Sequence, residues 1–518
     1  MSRALLWAAA ALTALAAGCA SLPPQDGRVE TRGLTDTTST SLGRAVGPRE
    51  SAEGVGRSGF HALASPSDAF AARVLLAAAA EKSLDVQYYI WHGDQTGFLL
   101  FEAVWRAAER GVRVRMLLDD ANTEGEDDVI AALDAHPNIE VRLYNPLMLR
   151  SARLMNFVID FARVNRRMHN KSFTADTQVA IVGGRNVGNE YFGAGEGTEF
   201  SDLDVLAIGP VVREVSSEFD LYWNSASAFP AAAILGAPPA DAARMLEDRF
   251  AATRADPETN AYLDVLRKTA IVNELIGGRL PFDWAQARVV RDDPAKTLDT
   301  SDRTDVLLLS SLLPAIGRPD TSFDLVSPYF VPGDQGTAAL ELMAKRGVRV
   351  RVLTNSLAAT DVAPVHAGYA KRRCDLLRSG VSLFELKPSA APRVAKDTKA
   401  TGSTGSGSGV QLHAKTFAVD RARIFVGSFN FDQRSAFLNT EMGVVIESPA
   451  LASRLSSAFE TSVPANAYAL RVAGDGRCPE WVERTPAGER VYDVDPDTTA
   501  GRRGLIDVLS ILPIDWLL

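Results

Sequence analysis

Two stretches of the chain carry the same order of apolar and polar positions. From Ser83 to Asp120 an apolar run leads through Gly93-Asp94-Gln95 into an amphipathic segment, then Arg110-Gly111 and an alternating Val-Arg-Val-Arg run. From Ser322 to Ser356 the order recurs with Gly333-Asp334-Gln335 and Arg346-Gly347. Apolar residues at 3.6-residue spacing predict a helix, and alternation predicts a strand. Asp85 and Asp324 lie 239 residues apart, and Arg110 and Arg346 lie 236 apart. The chain therefore reads as a duplicated α/β unit. Its strand–helix–strand order with short turns predicts, in each lobe, a mixed but mainly parallel sheet flanked by helices. The two lobes face one another about a pseudo-twofold axis. Residues 229–278 read as a helical insert of the first lobe, and 283–290 as a strand opening the second. The expected division is 58–282 for the first lobe, 283–470 for the second and 471–518 for a carboxyl-terminal tail.

Each lobe carries the same spacing of chemistry-bearing residues. "RMHNKSFTAD" supplies His169, Lys171 and Asp176, and "QLHAKTFAVD" supplies His413, Lys415 and Asp420. On a strand, residues i and i+2 share a face, so each histidine projects beside its lysine. Asn186 and Asn430 follow in Gly-x-x-Asn steps at equal distance from each Asp. Closing the two copies together makes a pocket of two imidazoles, two ammonium groups and two carboxamides. A lysine beside each histidine repels a cation, so no metal or other cofactor is expected and an anion is the natural guest. Two histidines flanking a tetrahedral phosphorus can act as nucleophile and general acid, with the lysines and asparagines on the non-bridging oxygens. Aligning "FSDLDVLAIGP" with "NTEMGVVIESP" sets Asp202 opposite Glu441, and these two carboxylates are expected to orient the histidines. Asp176 and Asp420 belong to the catalytic signature but sit where two strands turn, where Asp also caps a turn with its own side chain. The glycine- and serine-rich Lys399–Gly409 reads as an entry flap or as a solvated loop.

The first 18 residues join one Arg to a short apolar run, as an export signal does and a membrane span does not. Ala16-Ala17-Gly18-Cys19 is similar to a lipobox, with Ala16 where Leu is usual, and marks Cys19 for lipidation. Residues 19–57, rich in Ser, Thr and Gly, read as a flexible tether. The expected location is the periplasmic face of a membrane, the outer one in particular. Cys374 and Cys478 either pair in an oxidising compartment or remain separate thiols. Composition is ordinary, 46% apolar and 23% charged, with a net charge of −9 and pI near 5.4. Such a chain has no global positive field for nucleic acid. The apolar end, "GLIDVLSILPIDWLL", is too short to span a bilayer and either packs on the second lobe or lies in the interface.

The doubled His-x-Lys-x-x-x-x-Asp spacing resembles the phospholipase D superfamily. "LDVQYYIW", "FSDLDVLAIGP", "VHAGYAKRRCDLLRSGV" and "LHAKTFAVD" look like its third class of bacterial cardiolipin synthases. The resemblance covers the chain from Gly59 onward. It implies a metal-independent phosphatidyltransferase acting on phosphatidylglycerol, with phosphatidylethanolamine as a second substrate. It also implies His169 as nucleophile and His413 as acid/base, at a site between the lobes. The partners implied are phospholipids and, through lipidated Cys19, a membrane surface. Hydrolysis of phospholipids to phosphatidic acid is the alternative chemistry. His366, in "VHAGY", either faces the cleft or is a buried structural residue.

Overall fold

The computed structural model describes residues 22–25, 28–195, 199–269, 271, 274, 278–298, 303–388, 409–513 and 515–518. The export signal, Cys19 and all of Lys399–Gly409 except Gly409 lie outside the described residues. The first lobe is built on a nine-stranded sheet and the second on a ten-stranded sheet. At the centre of the first, Ser83–Tyr88, Arg113–Asp119 and Ile139–Tyr144 run parallel. Ser322–Val326, Arg349–Asn355 and Ser382–Leu386 do so in the second. These are the strand–helix–strand units visible in the sequence. Helices Gln95–Glu109 and Gly333–Lys345 make the crossovers.

Every other pairing within these two sheets is antiparallel, so the balance expected between parallel and antiparallel is reversed. The reason is local. Each signature strand, Ser172–Ala175 or Lys415–Val419, folds back at once onto Val179–Gly183 or Arg423–Gly427. At the turn Asp176 and Thr177 have φ of 51° and 53°, and Asp420 and Arg421 have φ of 54° and 53°. Two consecutive left-handed residues form a type I′ turn, whose twist matches a hairpin. The stretch 283–290 is likewise two elements. Asp283–Ala285 pairs with Ser58–Leu63 in the first sheet, and Ala287–Arg291 pairs with Met442–Ile446 in the second. The tail adds Glu480–Thr485 and Gly488–Tyr492 to the edge of the second sheet.

The described part of 19–57 is ordered on the first lobe instead of hanging free. The Arg28 guanidinium donates to Asn224 O at 2.8 Å and Ala228 O at 3.0 Å, and Trp223 Nε1 donates to Thr31 Oγ1 at 2.8 Å. Polar side chains dock this segment, which is why a composition poor in apolar residues concealed it. Ser41–Glu53 follows as a helix, capped by the Thr40 hydroxyl.

The lobes share a core. Ala180, Val182, Val205 and Ala207 of the first pack with Ala418, Val426, Val444 and Ile446 of the second. Strands buried on both faces read as unbroken apolar runs, as Val179–Gly183 and Met442–Ile446 do. A disulfide joins Cys374 to Cys478, tying helix Arg373–Arg378 to the strands of the tail.

Candidate active site

Each histidine is fixed by backbone from the opposite lobe. His169 N donates to Thr440 O at 2.9 Å, and Thr440 N donates to Arg167 O at 2.9 Å. In the other half, Val410–Leu412 pairs in parallel with Glu199–Ser201, and His413 N donates to Ser201 O at 2.8 Å. Thr440 and Ser201 are the residues just before Glu441 and Asp202. The side chains therefore cross between lobes. His169 Nδ1 lies 2.8 Å from Glu441 Oε2, and His413 Nδ1 lies 2.5 Å from Asp202 Oδ2. A carboxylate accepts from Nδ1–H, so each ring keeps its Nε2 lone pair for chemistry. The pairing of Asp202 and Glu441 with histidines matches the alignment of the two copies. That each serves the other lobe's histidine was not visible in it.

The lysines point into the same space. Lys171 Nζ donates to His169 O at 2.6 Å, and Lys415 Nζ donates to His413 O at 2.5 Å and lies 3.0 Å from His413 Nε2. Both histidines are 6% exposed. Burial, then Lys171 and Lys415, hold His169 well below its ordinary pKa, and burial with Lys415 lowers His413 to about 3. Burial also lowers both lysines, Lys415 to about 8. A bound anion offsets the part of the imidazole shifts that comes from the ammonium charge, while the larger part, from burial, remains. The pocket thus sets two neutral imidazoles beside two lysines on which burial works against the charge.

The two halves differ at the carboxylates. Burial raises Glu441 to about 7 against the pull of Lys171 and of the Ser428 hydroxyl, which donates to Oε2 at 2.5 Å. Burial also works against charge on Asp202, but His413 and Lys415 outweigh it and lower that carboxyl. Gly184 occupies in the first copy the place of Ser428 in the second. A Cβ there would lie 2.4 Å from Asp202 Oδ1. The shorter carboxylate therefore sits close against bare backbone, while the longer one is met by a hydroxyl. This difference is readable from "GGRN" against "GSFN", yet Ser428 was not singled out by the sequence. Neither were the rings around the imidazoles. Tyr89 meets His169 edge-on at 4.9 Å between centroids, Tyr191 meets His413 edge-on at 5.1 Å, and Phe200 stacks on His413 at 5.0 Å. They share no repeated spacing that would have marked them.

The signature aspartates are a correction to the catalytic set. Asp176 accepts from the backbone N–H groups of Glu81, Lys82 and Ser83, and Asp420 from those of Asp320, Thr321 and Ser322. Both lie five residues past their lysine, roughly 16 Å along a strand. They pin the hairpin turn to the start of the central parallel strand and do not touch the imidazoles. Asn186 lies at the site's edge with Oδ1 accepting from Ile90 N at 3.2 Å and Nδ2 donating to Tyr191 Oη at 3.0 Å. Nδ2 carries a second hydrogen that this contact does not use. Asn430 Oδ1 is buried without a protein partner among the described residues. His366 is structural. Its Nε2 lies 2.5 Å from Arg373 Nη2, in a buried network with Glu385 and Asp495 next to the disulfide.

The chain matches the family model described as cardiolipin synthase, phospholipase D-like domain, at residues 75–223 and 312–463. It is 48% identical to cardiolipin synthase C of Escherichia coli K12 over 463 residues, covering 89% of this chain and 97% of that protein. Cardiolipin synthase A of Pseudomonas syringae pv. syringae is 25% identical, over 73% of this chain and 63% of that protein. Among solved structures, phosphatidylserine synthase of Haemophilus influenzae has the same fold, with a TM-score of 0.57 at 12% identity over 89% of this chain and 95% of that one. The two matched segments each hold one histidine–lysine pair and the carboxylate serving the other, and the chain belongs to the family of cardiolipin synthases with phospholipase D-like domains.

Proposed function

We propose that the protein is a metal-independent phosphatidyltransferase that makes cardiolipin from phosphatidylglycerol and a second phospholipid. The observation that carries this reading is the crossed pairing of His169 with Glu441 and His413 with Asp202 around two buried lysines. The 48% identity to a cardiolipin synthase along nearly its whole length supports the choice of lipid. His169 Nε2 attacks the phosphorus of phosphatidylglycerol. The bond to the glycerol headgroup breaks, and His413 Nε2–H passes its proton to the departing alkoxide. Asp202, the firmer anion of the two carboxylates, supports the imidazolium that this step requires. Lys171, Lys415, Asn186 and Asn430 hold the non-bridging oxygens. The free hydroxyl of an acceptor phosphatidylglycerol then gives its proton to His413 and attacks the phosphorus, and the bond to His169 breaks; where phosphatidylethanolamine is the phosphatidyl donor, ethanolamine leaves in place of glycerol.

The lipobox-like Ala16-Ala17-Gly18-Cys19 supports a lipoprotein anchored at Cys19, facing the periplasm at the outer membrane. Incubation of the purified protein with vesicles of headgroup-labelled phosphatidylglycerol tests the reaction. Transfer yields cardiolipin and free glycerol in equal amounts. Phosphatidic acid as the sole lipid product would mean hydrolysis and would overturn the transferase reading.

A further inference from the structure

The residues between Leu149 and Asn165 are arranged inside out. Arg153 is 7% exposed, with Nη1 donating to Asp120 O at 2.7 Å and Nη2 to Asp127 Oδ1 at 3.0 Å. Asn156 is buried as well, accepting from Leu149 N and donating to Arg153 O. The apolar residues take the outside: Leu154 is 83% exposed and Val158 75%, with Met155, Ile159 and Phe161 also exposed. A surface facing only water has the opposite order.

This segment runs straight into the site. Asn165, four residues before His169, accepts from the Arg434 guanidinium at its O (2.7 Å) and Oδ1 (2.9 Å). Arg434 N in turn donates to Leu518 O at 2.7 Å, so the carboxyl-terminal segment lies against the same residue. Helix Ala500–Ile511 leads into that segment. Ile506 and Leu509 pack on Leu357 and Ala367, whereas Leu505, Val508 and Ile511 point outward, Ile511 at 84% exposure. Leu505, Val508 and Ile511 recur every three residues along the outer side of the helix. The two segments that carry these apolar surfaces, from opposite lobes, thus both contact Arg434.

We propose that the segment around Leu154 and Val158 and the outer face of helix Ala500–Ile511 dock together into the acyl-chain boundary of a phospholipid bilayer. The occupant is argued from the site, and so rests on the phosphatidyltransfer reading. A diacyl phospholipid has to bring its phosphodiester to imidazoles that are almost wholly buried while its chains remain in an apolar medium. Inserting these residues places the mouth of the site at headgroup depth. No helix among the described residues is long and apolar enough to cross a membrane.

The test uses the chain from residue 19 onward carrying Cys19→Ser, which removes both the apolar export run and any lipid anchor, with vesicles of phosphatidylglycerol and phosphatidylethanolamine. Flotation is compared with that of L154S/V158S, V508S/I511S and the fourfold variant. The fourfold variant is expected to partition onto vesicles about tenfold or more weakly. Each pair alone should show an intermediate loss, which is read if the fourfold variant does not fold. Turnover of short-chain phosphatidylglycerol, dispersed as monomers, should stay within about twofold. Equal flotation of all proteins, or no flotation of the Cys19→Ser protein itself, overturns the proposal. Flotation without turnover by any protein retains the docking face and overturns the phosphatidyltransfer reading instead.

Discussion

Replacing Asp202 by Asn should cost more than replacing Glu441 by Gln, although each carboxylate holds one histidine. Asp202 lies 2.5 Å from His413 Nδ1 with its side chain wholly buried, and its pKa is lowered, so it is an anion at neutral pH. Asn retains the shape but loses the charge that supports the imidazolium. A charge-assisted hydrogen bond contributes about 1.5–3 kcal/mol, or roughly 10- to 150-fold in rate. An amide that donates to Nδ1 also moves the ring proton to Nε2, which in serine proteases brings the loss near 10⁴-fold. A fall of about 10³-fold is therefore expected for Asp202→Asn. Glu441 titrates near pH 7, so at that pH the carboxyl is only partly ionised and Gln removes less charge. The expected loss for Glu441→Gln is about 10- to 100-fold, growing as pH rises from 6 to 8.5 and wild-type Glu441 becomes fully ionised. Single-turnover formation of cardiolipin across that pH range checks both. Equal losses at pH 7, or a Glu441→Gln penalty that does not change with pH, would refute the asymmetry derived from Ser428 and Gly184.

Ser428→Ala removes the hydroxyl that donates to Glu441 Oε2. It should push the Glu441 carboxyl further up and shift the alkaline-going rise of activity to higher pH, read from the same profile. Asp176→Ala deprives three backbone N–H groups of their acceptor in a buried turn. About 3 kcal/mol of stability should be lost in urea unfolding, with turnover per folded molecule within a few-fold of wild type. A pH effect follows from His413, whose pKa falls from 6.5 to about 3 through burial and Lys415. Between those values the unfolded chain binds the proton and the folded one does not, so stability present above pH 6.5 is lost as pH falls. The loss reaches about 2 kcal/mol at pH 5. His413→Gln should flatten that part of the urea-derived stability curve. Glu441 acts with the opposite sign in both proteins and cancels from the difference.

The duplication was legible because its carriers are local: the apolar period of the Ser83–Tyr88 and Ser322–Val326 units and the His-x-Lys spacing recur in order along the chain. The direction of the remaining strands was not. Val179–Gly183 and Met442–Ile446 are apolar on both faces, and an unbroken apolar run carries no mark of parallel or antiparallel pairing. Within 283–290 the chain passes from one sheet to the other at Gln286, a switch fixed by partners some 150–230 residues away. The site shows the same division. His169, Lys171, His413 and Lys415 come together as their spacing implied, while the exchange of Asp202 and Glu441 between lobes depends on docking through the shared core. Asp176 and Asp420 mark the signature most visibly, and their spacing expresses the geometry of a hairpin.

The most direct measurement is mass spectrometry of the wild-type protein mixed with phosphatidylglycerol and quenched in base on the timescale of the first turnover. The account predicts one phosphatidyl group per chain, bound through phosphorus to the imidazole of His169. A modification on another residue, or turnover with no covalent species at any time, would contradict it.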